Sequence, residues 1–286
     1  MTSRRWSRDG QVISLIPIAD QNPTRRTAWV TYLLIALNVV VFLREPIADE
    51  VPFLSGPTTQ ADACHDLAFF REYAAIPHEL VTNEQLPETA GPPEGDGCRA
   101  VPSDGRKVPA LSVLYAMFLH GSWLHLLGNM LFLYVFGNNV EDRIGRVRYL
   151  IFYVLCGYIA TYAFAFANAN GTDTLVGASG AIAGVLGAYL LLFPRARVTS
   201  LVPFLFFIPF QLPAWVVLGS WFLLQWLYAS GGTMAEGSSV AYLAHVAGFI
   251  AGMILVAVFG GLRRPPTSQA PPAWPGPAGG RPWDSY

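Results

Sequence analysis

Ser179, in Gly177-Ala178-Ser179-Gly180 at the head of one apolar stretch, and His245, inside a later one, are the residues best suited to chemistry. Polar groups sunk in hydrocarbon cost free energy unless something uses or satisfies them. A serine hydroxyl is a weak nucleophile until a base takes its proton, and histidine is the commonest base near neutral pH. Attack on a carbonyl builds an oxyanion, which needs donors aimed at it. Three donors are at hand. One is the backbone N–H of Ser179, where a helix start offers free N–H groups and a favourable dipole. The others are the imidazole of His125 and the amide of Asn129, which share one face of a third apolar segment at i and i+4. No acidic residue lies in the later apolar segments, which argues against a triad completed by aspartate.

Each signal also has a plainer reading. Gly-Ala-Ser-Gly can be a packing face of small residues, and residue 181 is Ala, so it is not the Gly-x-Ser-x-Gly elbow of soluble hydrolases. A lone intramembrane histidine can be a proton relay or a satisfied packing residue. His120, His125 and His245 could meet at a metal, but no carboxylate or thiolate lies at their depth to join them. A channel or proton-coupled transporter would call for intramembrane carboxylates or paired repeats, and neither is present.

The elements that must position these groups follow from composition. The chain of 286 residues is 53% hydrophobic and 13% charged, where a soluble domain averages about a quarter charged; its mean hydropathy is +0.39. Apolar segments run over Thr27–Leu43, Leu111–Phe136, Val147–Ala167, Ser179–Phe193, Ala214–Tyr228 and Val240–Gly260. About 20 residues are needed to cross ~30 Å of hydrocarbon, so the expectation is an all-α polytopic membrane protein with six spans. No apolar run precedes Trp29, so internal helices are expected to direct insertion. Arg4, Arg5, Arg8, Arg25, Arg26, Arg143, Arg146, Arg148, Arg195, Arg197, Arg263, Arg264 and Arg281 all fall on the side of the N-terminus. The positive-inside rule makes that side cytoplasmic, with both termini on it.

Twelve of the 19 acidic residues lie in the outer segment 44–108, against five basic ones (Arg44, Arg71, Arg99, Arg106 and Lys107). That balance excludes a nucleic-acid surface, which needs clustered Lys and Arg. Cys64 and Cys98 share this outer loop and an oxidising compartment; they either form a disulfide or remain two thiols. Cys156, inside a span, is a small buried apolar residue. The expected organisation is a cytoplasmic segment 1–26, a six-helix domain 27–262 with an outer loop 44–110 partly embedded in the membrane, and a disordered Pro-rich tail 263–286.

Helical rise sets the depth of each polar group. The fourth span is short, about 22 Å, and its lower end is fixed by Arg195 and Arg197, so Ser179 stops below the outer surface. Counting from the nearest arginine gives about 24 Å for Ser179, 27 Å for His245, and 27 and 21 Å for His125 and Asn129. All four therefore occupy one layer toward the outer side. Ser122 is a good N-cap, so the helix of the second segment is expected to begin there, with Leu111–His120 in or near the outer leaflet. Gly180, Gly184 and Gly187 on one span, and His245, Gly248 and Gly252 on another, form faces that let two helices approach closely.

With these residues in view the chain resembles the rhomboid intramembrane serine proteases from about Asn22 to Gly260. The likeness rests on His120-Gly-Ser-Trp-Leu-His125-Leu-Leu-Gly-Asn129, Glu141-Asp-Arg-Ile-Gly145-Arg-Val-Arg148, Gly177-Ala-Ser179-Gly180-Ala-Ile-Ala-Gly184 and Ala244-His245-Val-Ala-Gly248-Phe-Ile-Ala-Gly252. It implies a six-helix rhomboid-like bundle with Ser179 as nucleophile and His245 as base. His125, Asn129 and the Ser179 backbone would form the oxyanion pocket, with His120 and Gly177 supporting it. It also implies a fifth span acting as a lateral gate, a capping loop at Ser230–Ser239, and transmembrane protein substrates cut near their outer ends. Neither metal nor cofactor is implied, and the setting would be a plasma (inner) membrane with the active site toward its outer face. A catalytically idle rhomboid-like protein that binds membrane clients is the alternative. Two departures stand out: Ala183 occupies a position where some members carry a tyrosine that stacks on the histidine, and no Trp occurs between Ala100 and Leu119.

Overall fold

The computed structural model describes residues 16–49, 59–202, 208–230 and 241–262. Residues 1–15, nearly all of the expected capping loop and the tail 263–286 lie outside the described residues. In chain order come β1 (Ile16–Asp20), α1 (Trp29–Phe42), a 3-10 turn (Pro46–Asp49), α2 (Gln60–Tyr73) and α3 (Pro77–Thr82). The hairpin β2 (Glu88–Glu94) and β3 (Gly97–Pro102) leads to α4 (Pro109–Ala116), α5 (Trp123–Ile144), α6 (Arg146–Ala167) and α7 (Ser179–Leu192). Strands β4 (Arg197–Val202) and β5 (Ile208–Pro213) precede α8 (Ala214–Ala229) and α9 (Tyr242–Val258).

Each of the six apolar segments yields one long helix: α1, α5, α6, α7, α8 and α9. Among the described residues only α6 is both long and apolar enough to span a bilayer unaided; α1, α7, α8 and α9 are apolar but have 14 to 17 residues. The outside of the bundle is apolar: Leu33, Val40, Leu124, Val147, Ile254 and Val258 are all more than half exposed. A surface of that kind suits hydrocarbon rather than water. The segment Leu111–Phe136 divides as its capping residue dictates. Ser122 Oγ accepts the His125 N–H at 3.1 Å, α5 starts at Trp123, and the upstream residues form α4 with Pro109 in its first turn. Gly145, at φ +87°, takes a backbone conformation that side chains disfavour and breaks α5 from α6.

The all-α expectation needs correction: two small antiparallel sheets accompany the helices. One has the order β1-β4-β5, with Ile16 opposite Leu201 and Thr199 opposite Gln211; the other is the β2–β3 hairpin. The first sheet was not foreseen because β4 and β5 fall between two apolar segments and β4, Arg-Val-Thr-Ser-Leu-Val, lacks the strict polar alternation that marks a strand. The hairpin was hidden because Pro92 and Pro93 argue against a strand; the pairing slips at that point.

The sheet and its neighbours brace the end of the bundle opposite Ser179. Asp20 accepts from the Tyr189 hydroxyl at 2.6 Å and from Asn139 Nδ2 at 2.8 Å, tying β1 to α7 and α5. Burial pushes the Asp20 carboxyl above its usual value, against the pull of those hydrogen bonds. Glu141 of α5 caps α1 from outside, accepting the N–H groups of Val30 (3.1 Å) and Thr31 (2.7 Å) and the Thr31 hydroxyl (2.7 Å).

At the other end α2, α3 and the hairpin form a subdomain. Cys64 and Cys98 are joined in a disulfide between α2 and β3. A buried Lys107–Glu79 ion pair at 2.7 Å lies beneath, and Lys107 also donates to the Arg71 carbonyl at 2.7 Å. Burial lowers the Lys107 amine while Glu79 pulls it back up. This subdomain grips the segment that leads into α7. Ala75 and Leu175 exchange backbone hydrogen bonds at 3.2 and 2.7 Å, and the His78 N–H donates to the Gly171 carbonyl at 2.9 Å.

Candidate active site

α7 is the axis of the site. Every residue from Ala181 to Tyr189 is buried, as expected for a helix that is apolar all round. Its glycines meet those of α9 backbone to backbone. A Cβ on Gly252 would run into the carbonyl group and Cα of Gly184, one on Gly248 into the Gly180 carbonyl, and one on Gly187 into the Phe249 carbonyl. Gly184 also receives Cys156 of α6, whose Sγ would lie 2.5 Å from an added Cβ. Only hydrogen fits along this seam, so the two helices close completely. The result at their N-terminal ends is a distance of 2.8 Å between Ser179 Oγ and His245 Nε2.

Both residues line a cavity of about 640 Å³. Its opposite wall is the first turns of α5. The Nδ1 of His125 accepts the Gly121 N–H at 3.4 Å, which leaves the proton on Nε2 as a donor. That Nε2 edge faces Gly177 so closely that a Cβ there would sit 2.8 Å from it, and Gly177 has φ +120°, in the region that favours glycine. The Gly177 N–H is fixed by the Ala116 carbonyl at 2.8 Å. Asn129 is 8% exposed and lines the cavity, with no hydrogen-bond partner for its Nδ2 among the described residues. No side chain caps α7 at Ser179, so its first N–H groups have no intrahelical partner there.

Of the expected supporting residues His120 sits apart. It is fully buried, its ring packs edge-on against Phe42 and His125, and it does not line the cavity. Its backbone N–H donates to both carboxylate oxygens of Glu45, at 3.2 and 3.1 Å. Burial pushes the Glu45 carboxyl up to about 7, with the His120 N–H opposing. Gly180, Gly184, Gly248 and Gly252 lie in the α7–α9 seam, Gly180 also lining the cavity, and Cys64 and Cys98 link α2 to β3. Among the described residues no three metal-binding side chains converge.

Two residues of α8 escaped sequence reasoning. Gln225 Oε1 is 2.7 Å from His245 Nδ1, and the Trp221 ring lies 5.9 Å from the imidazole, tilted by 34°. Tyr242 approaches the same imidazole edge-on at 6.5 Å. Ala183 leaves room on the α7 side, and α8 supplies the ring instead. The available signal was a single amide in the otherwise apolar segment Ala214–Tyr228.

The model of the Rhomboid domain matches residues 110–262, more than half of the chain. RHOMBOID-like protein 5 of Arabidopsis thaliana is 28% identical over 170 residues, 59% of this chain and 52% of that protein. RHOMBOID-like protein 6, mitochondrial, of the same plant is 28% identical over 199 residues, 66% of this chain and 61% of its own length. Rhomboid protein 1, mitochondrial, of Saccharomyces cerevisiae is 29% identical over 148 residues, 50% of this chain and 40% of the relative. The chain thus spans about half the length of these curated relatives. On the family match, and on the helical bundle with its apolar exterior, the chain belongs to the rhomboid family of membrane-embedded helical proteins.

Proposed function

We propose that the chain is an intramembrane serine endopeptidase that cleaves transmembrane helices of other proteins with a Ser179–His245 dyad. The observation that supports it most is the 2.8 Å contact between Ser179 Oγ and His245 Nε2, on a cavity that holds the Asn129 Nδ2 donor, without a partner among the described residues. His245 Nε2 takes the hydroxyl proton as Ser179 Oγ bonds to the scissile carbonyl carbon. The resulting oxyanion accepts from Asn129 Nδ2, His125 Nε2–H and the Ser179 N–H. The imidazolium then protonates the leaving amine as the C–N bond breaks. Water, deprotonated by the same histidine, hydrolyses the acyl-enzyme and returns the proton to Ser179.

Six spans in the membrane, α1 and α5 to α9, follow from this reading, with α8 as the lateral gate that the family resemblance implies. The arginine-rich end would face the cytoplasm and the disulfide-bonded subdomain an oxidising outer space, which favours a plasma (inner) membrane. Two of the relatives are mitochondrial by name. The test is labelling of the purified protein with a fluorophosphonate. The label should map to Ser179 and be lost in His245→Ala; labelling unaffected by that substitution would refute the pair.

A further inference from the structure

We infer that Gln225 is the positioning residue of the dyad, holding the His245 imidazole in the tautomer whose Nε2 can accept the serine proton. The inference rests on the reading of Ser179 and His245 as nucleophile and base. An amide carbonyl oxygen accepts hydrogen bonds and cannot donate them. With Gln225 Oε1 at 2.7 Å, Nδ1 of His245 must carry the ring proton. Nε2 is then a lone pair, and the Ser179 hydroxyl donates to it across 2.8 Å. The two contacts lie on opposite ring nitrogens, so one fixes the direction of the other.

Sequence reading weighed only an acidic third member, and among the described residues none that lines the cavity is acidic. A neutral amide fills the same place at lower cost in hydrocarbon, because no charge is buried with it. It gives up part of the imidazolium stabilisation that a carboxylate would supply. Trp221 lies one helical turn before Gln225 on the same face of α8 and packs on the same imidazole. Gln225 and Trp221 thus support the base from one helix, α8, while α7 presents Ser179 to it.

That helix is anchored unevenly. Its buried residues are Ala214, Val217 and Leu218, all in its first turns, whereas Leu223, Trp226 and Leu227 beside Gln225 are each more than half exposed. Outward displacement of this half would remove the acceptor from Nδ1. Occupancy of the α8 position and competence of the base are therefore coupled.

Gln225→Leu removes the acceptor at similar volume; Gln225→Glu keeps one. Leu should lower kcat on a single-span substrate on the order of ten- to a hundredfold at unchanged KM, less than the ~10⁴ lost where a carboxylate holds the tautomer. Glu should restore most of it. Wild-type kcat in Gln225→Leu, or equal losses in both variants with a raised KM, would overturn the assignment. A 15N NMR spectrum adds a readout that does not need turnover: His245 should carry its proton on Nδ1 in the wild type and lose that preference in Gln225→Leu. Retained preference would overturn the assignment on its own. A wild type that neither cuts nor labels at Ser179, yet shows the Nδ1 tautomer, would place the failure in the dyad reading instead.

Discussion

α9 meets α7 through backbone atoms, whereas α8 reaches the same cavity through the side chains of Trp221 and Gln225. A glycine on each shows the contrast. At Gly252 of α9 an added methyl would collide with the Gly184 backbone; at Gly219 of α8 it would meet nothing within 4 Å. The seam that holds Ser179 against His245 is closed to the limit of packing, whereas α8 packs on α9 through side chains such as Trp221 and Phe222 on Phe249. Reactive groups need fixed separation, and a substrate helix needs a way in. On the proposed protease reading, these two needs fall to different helices.

Gly252→Ala should break the contrast most severely. The helices would have to part, at a cost of about 3 kcal/mol or more, since overpacking against backbone cannot be relieved by a rotamer change. Thermal unfolding in detergent measures it, and an unchanged midpoint would mean that α9 is no tighter than α8. Next comes the disulfide staple. Replacing Cys64 and Cys98 by serine releases a 34-residue loop, a loss of about 3–4 kcal/mol in the chain-entropy model, read as a lower midpoint with most cleavage retained. A midpoint equal to wild type would remove the staple from the account. Asn129→Ala should leave folding alone and reduce kcat on the order of a hundredfold, because a single oxyanion donor contributes about that much and others remain. Gly219→Ala should do least, gaining up to about 1 kcal/mol from helix propensity alone. A destabilised Gly219→Ala would show that α8 packs as closely as α9 and erase the difference.

Much of the candidate site was legible in sequence because polar residues in apolar segments have few excuses. Ser179, His245, His125 and Asn129 could be set in one layer by counting helical rise, and the glycine faces pointed to the seam. Ser122 announced where α5 begins. Other features depended on which elements meet, and that is a tertiary fact. Gln225 was visible as a lone amide, but nothing local says that α8 turns it toward Nδ1 of His245. Glu45 was one of twelve acidic residues in the outer loop, with no local sign that it would hold the His120 backbone. Asp20 finds Tyr189 and Asn139 only once β1 pairs with β4, two strands that lie far apart in the chain.

The central claim is that Ser179 is a nucleophile activated by His245. Its most direct test is cleavage of a single-span substrate in liposomes by the purified wild type beside Ser179→Ala. The account predicts cleavage within the transmembrane segment by the wild type and none by the variant, with both equally folded. Cleavage at the same bond by Ser179→Ala would contradict it.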